Sequence, residues 1–130
     1  MLRIAAAAIV AAHGLIHLIG FVVPWGISTV EGFPYRTMAV GGAIAFDDTG
    51  ARAIGVVWLA CAVGFVVAGL GIWRRASWAL QLTAALAIVS IVACVLGLPE
   101  TSAGIVVNAV ILGAIAWVSY ARPRLLEAVR

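Results

Sequence analysis

Charge is what this sequence has least of. Asp, Glu, Lys and Arg together make up 10% of it, against 65% hydrophobic residues. A water-soluble domain carries about a quarter charged residues, and one so poor in them could not cover its own surface. Lipid must therefore solvate much of the chain, which agrees with a mean hydropathy of +1.21. Cysteine is also scarce. Cys61 and Cys94 both sit inside apolar stretches and form no Cys-x-x-Cys pair. That sets aside a thiol–disulfide relay and leaves two small buried apolar side chains. No glycine-rich phosphate loop and no plausible Ser-His-Asp pattern is present. The net charge is +3, but no basic patch is interleaved with aromatics, so nucleic acid is not expected as a partner.

What is present is four apolar runs, at residues 4–23, 53–73, 78–98 and 104–120. The first three are long enough to cross the hydrocarbon core as helices, for which about 20 residues are needed. The fourth is shorter and begins inside the loop before it. Strands are excluded, because an open sheet in lipid leaves backbone groups unpaired. None of the four runs contains Asp or Glu, whereas a proton-coupled transporter usually carries an acid within the membrane. Arg3 before an alanine-rich stretch also fits a secretory signal, but the run is long and no small-x-small site closes it. It is read as the first span. The expected fold is all-α: one transmembrane domain over residues 1–130, built as an antiparallel four-helix bundle.

Charge sets the expected orientation. Arg3, the Arg74 and Arg75 turn, and Arg122, Arg124 and Arg130 lie on one side. Glu31, Arg36, Asp47, Asp48, Arg52 and Glu100 lie on the other. Basic residues mark the cytoplasmic side, so both termini are expected there, in a bacterial cytoplasmic membrane. Trp25, Trp73, Trp78, Trp117 and Tyr120 fall near the run ends, as an interfacial aromatic belt would place them.

Residues 24–52 form the long connection, expected outside the cytoplasm. It is long for a plain connector. Phe33, Met38, Val40, Ile44 and Phe46 make it partly apolar, so it should fold back as a cap, punctuated by Pro24, Gly32, Pro34, Gly41 and Gly42. Asp47 or Asp48 should cap the second long helix, with Arg36 and Arg52 available to pair with these acids.

The candidate site is in the first run. His13 and His17 are the only histidines, and a spacing of four stacks them on one helix face. Ionisable residues at that depth mark a functional site by default. Four chemistries fit. The pair can hold a metal ion with further ligands from Asp47, Asp48 or Glu31. It can handle protons or bind a substrate. It can serve a haem, which for two axial histidines on one helix would take two protomers. Or neutral histidines can simply hydrogen-bond other helices.

Asn108 shares a stripe with Gly104, Ile115 and Ser119 at ~100° per residue. Thr83, Ser90, Cys94 and Thr101 form a matching polar stripe. Lipid is a poor partner for both, so His13, His17, Ser90, Cys94 and Asn108 are expected to line one polar cavity open to the outer face. Small residues at spacing four (Ala60, Gly64 and Ala68; Ala93 and Gly97; Ala109 and Gly113) should let helices approach, with Gly14 and Gly20 in the same role. Such faces also suit a homo-oligomer or a larger membrane complex.

Residues 13–20, then Gly55 to Trp58, Leu98 with Pro99, and Val107 with Asn108 carry a family likeness. The whole chain resembles a group of small actinobacterial four-helix membrane proteins, often labelled membrane protein or ABC transporter permease. Its general architecture is more distantly similar to DoxX-like proteins. The resemblance implies a multi-pass membrane protein and brings no activity with it. Two function classes follow from the residues: a binding or accessory component of a transport or envelope complex, or a membrane-embedded metal or haem protein using His13 and His17.

Overall fold

The computed structural model describes residues 1–127, with side chains as far as residue 121. The side chains of Arg122, Arg124 and Arg130, which entered the orientation reading, lie outside the described ones. The chain is mostly helical, and the connection between the first two spans is irregular apart from one minimal hairpin. In order it forms α1 (Leu2–Ile16), α2 (Ile19–Val22), β1 (Met38–Ala39), β2 (Ile44–Ala45), α3 (Asp48–Trp73), α4 (Ala79–Leu96) and α5 (Ser102–Glu127). Four stretches are long and apolar enough to cross a membrane: Leu2–Val22, Asp48–Trp73, Ala79–Leu96 and Ser102–Ala121. This is a small multi-pass integral membrane protein.

Helix α3 begins earlier than its apolar run because Asp47 caps it. Asp47 is extended, at φ −86° and ψ −176°, and its carboxylate accepts the Gly50 N–H at 2.8 Å. Asp47→Ala should therefore lower stability by about 1 kcal/mol, read as an earlier unfolding midpoint in detergent. An unchanged midpoint would mean that tertiary contacts alone set the start of α3. At its other end α3 closes with Arg75 in the left-handed region, φ 61°. Ala76 N–H reaches Gly71 O and Arg75 N–H reaches Ile72 O, a Schellman close that turns the chain straight into α4.

Packing runs in series: α1 on α3, α3 on α4, α4 on α5. Glycines set the close approaches. A Cβ on Gly69 would stand 2.8 Å from the Ala7 carbonyl, and one on Gly64 would stand 2.7 Å from the Leu86 side chain. A Cβ on Gly113 would meet nothing within 4 Å, so this glycine serves no close approach among the described residues. Only 6% of the α5 span window is buried, against 33% to 39% in the other three.

The long connection packs on helix ends. Gly41 N–H bonds Leu98 O at 3.1 Å, and Trp25 Nε1 donates to Arg52 O at 3.2 Å. Arg36 pairs with Glu100 rather than with Asp47 or Asp48, and the Arg52 guanidinium lies 6.0 Å from the Trp25 ring centre. Phe33, Val40 and Phe46 are half-buried, as their apolar character required. Met38 and Ile44 are exposed instead, and in the hairpin Ala39 is the residue turned inward.

The Tyr35 hydroxyl donates to Asp48, and that bond raises the Tyr35 pKa above its usual value of 10. A phenol held protonated by the fold favours the fold at pH below its unfolded pKa, and the benefit is lost as pH climbs through the folded one. In an absorbance titration of tyrosinate, Asp48→Asn should move the Tyr35 transition to lower pH. A transition that stayed in place would show that Asp48 does not hold the phenol.

Candidate functional site

The first span changes its winding at the second histidine. His17 N–H bonds Gly14 O at 3.0 Å and Leu18 N–H bonds Leu15 O at 3.1 Å, three residues back rather than four. The helix resumes at Ile19. Because His17 N–H has turned to Gly14, the His13 carbonyl loses its ordinary helical partner. The His17 ring takes that place, with Nδ1 at 2.9 Å from His13 O.

That single bond orders all the hydrogens around it. A carbonyl only accepts, so His17 Nδ1 carries the proton and Nε2 presents a lone pair. Ser90 Oγ, 2.6 Å away, donates to Nε2. The same oxygen accepts from Asn108 Nδ2 at 2.8 Å. Asn108 Nδ2 also donates to Gly104 O at 2.8 Å, which fixes the amide orientation and turns Oδ1 toward His13. His13 Nε2 donates to it at 3.2 Å. The result is a ring of hydrogen bonds joining α1, α4 and α5 that two neutral imidazoles satisfy.

The ring is dry. Ser90 and Asn108 are 0% exposed, His17 2% and His13 7%. Its walls are aromatic. Phe65 lies 5.0 Å from the His13 ring centre and 5.3 Å from that of His17, and Trp58 lies 5.2 Å from His17. Trp58 and Phe65 were not foreseen as site residues. The signal was available: both are large, sit mid-run rather than at an interface, and are seven apart, which puts them on one face of α3. Gly20 accommodates Trp58, since a Cβ there would stand 2.3 Å from its ring.

Four of the sequence candidates, His13, His17, Ser90 and Asn108, thus meet in one group. Cys94 borders it, with Sγ 4.0 Å from Ser90 Oγ. Thr83 and Thr101 do not join: their hydroxyls bond the carbonyls of Ala79 and Cys94. Asp47 and Asp48 do not join either, being held as the α3 cap and as the acceptor for Tyr35. Among the described residues, no three of His, Cys, Asp and Glu stand close enough together to hold a metal ion. The set His13, His17, Asp47 and Asp48 is therefore not assembled.

A cleft of about 190 Å³ runs along the exposed side of the ring. Both histidines, Phe33, Trp58, Ile16 and Ala103 are among its walls. No family model matches this chain, and no curated protein or solved structure matches it either.

Proposed function

We propose that this protein is a small-molecule-binding or accessory component of a membrane transport or envelope complex, with its site at the intramembrane histidine pair. The carrying observation is the cleft of about 190 Å³ against two buried histidines. A pair serving only to join helices would need no open volume beside it. In this reading the spans form an antiparallel bundle in a bacterial cytoplasmic membrane. Both termini face the cytoplasm, and the connection between α2 and α3 covers the outer end. The distribution of arginine supports that orientation.

The metal and haem readings gain nothing from the donor geometry. Both ring nitrogens of His17 are already bonded, and Glu100, the one carboxylate on the cleft wall, is paired with Arg36.

The test is extraction of small molecules from protein purified in mild detergent, compared by mass spectrometry with a His13→Leu/His17→Leu double variant and with Ala103→Phe. Ala103→Phe narrows the cleft from its rim and leaves the hydrogen-bonded ring untouched. A compound enriched in the native protein and missing from both variants is the expected result. Identical extracts from all three would overturn the reading.

A further inference from the structure

We infer that the cleft takes a neutral, single-ring phenol that arrives from within the bilayer; this rests on the binding role proposed above and names its chemistry.

Four observations converge on that class. The first is size. A cavity of about 150 Å³ lined by apolar side chains accepts benzene, so about 190 Å³ leaves room for one ring and a substituent. The second is the wall. Trp58 and Phe33 meet edge to face there, at 6.5 Å between centres, and aromatic walls favour an aromatic guest. The third is valence. The ring of hydrogen bonds satisfies His17, Ser90 and Asn108, while His13 Nδ1 makes no hydrogen bond among the described residues. With Nε2 protonated, Nδ1 is a lone-pair acceptor, and only a donor can complete it. A hydroxyl does so; an ether, ester or carbonyl does not.

The fourth observation is charge and route. The one charged residue on the wall, Glu100, is already paired with Arg36, so nothing there calls for an ionised guest. Ile16 and Ala103 stand at the rim, are exposed, and belong to spanning segments. The rim between α1 and α5 therefore faces lipid. A molecule dissolved in the bilayer enters sideways without crossing the capped end.

Titration of 4-fluorophenol into the protein in lipid nanodiscs, followed by fluorine NMR, tests this. Fluorobenzene is the matched probe without the hydroxyl, and empty nanodiscs report simple partitioning. One saturable site per chain is expected for 4-fluorophenol. Its affinity should exceed that of fluorobenzene about ten-fold, the value of one hydrogen bond. Ala103→Phe should abolish the saturable component while helix content and the unfolding midpoint stay as in the native protein. Equal affinities for the two probes would overturn the phenol assignment, as would saturable binding that survives Ala103→Phe or that empty nanodiscs reproduce. A co-purifying compound lost in the histidine variants, together with no binding of 4-fluorophenol, would leave the binding site standing and overturn only its chemical class.

Discussion

Gly14→Ala should destabilise the protein by about 2 kcal/mol, although alanine is the better helix former. The added Cβ would stand 2.7 Å from Phe65 Cβ and 2.9 Å from the Ala62 carbonyl oxygen. Neither can retreat: one is the root of a side chain that is 0% exposed, the other is α3 backbone. Helix α1 must then back away from α3 beside His13, so the loss in stability should come with weakened ligand retention. Gly113→Ala is the matched control. It has the same chemistry in another spanning helix, with nothing within 4 Å, and should be neutral or slightly stabilising. Equilibrium unfolding in mixed micelles separates the two. Equal effects at both positions would show that glycine acts here through helix propensity rather than through contact.

Asn108→Leu should cost about 2 kcal/mol as well, but the damage should be local. Leucine has the same number and branching of side-chain heavy atoms and no polar atoms, although its methyl groups take more room. His13 Nε2–H loses its acceptor and the Ser90 oxygen loses its donor, and both residues are buried. Helix α5 has little else to hold it, because so little of its span is buried. Amide exchange should therefore rise along α5 while α1 and α3, which pack directly on each other, keep their protection. Unchanged exchange in α5 would mean that its apolar contact with α4 is sufficient.

The architecture was legible because lipid simplifies the problem. A chain that cannot leave backbone groups unpaired in hydrocarbon must be helical where it crosses the membrane, and each of the four runs overlaps one of the four observed spans. The Asp47 cap was legible from an acid placed just before an apolar run. The convergence of His13, Ser90 and Asn108 followed from polar side chains avoiding lipid.

Other features were not legible. No proline or glycine immediately marks the change of winding at His17; its compensation, the His17 ring on the His13 carbonyl, exists only in three dimensions. Asp47 and Asp48 looked like metal ligands because sequence shows residue type and not prior engagement. The ion pair of Arg36 with Glu100 joins residues far apart in the chain, and nothing local selects Glu100 over the nearer acids.

The hydrogen-bonded ring has an electrical consequence. An imidazole or a hydroxyl can take a proton on one side and release it on the other, but a carboxamide cannot do so without becoming a high-energy imidic acid. Asn108 stands between His13 and Ser90 and insulates one arm of the loop, as the His13 peptide carbonyl insulates the other. A proton taken up at His13 cannot travel through the ring to His17, and the two imidazoles behave as separately wired sites one helical turn apart.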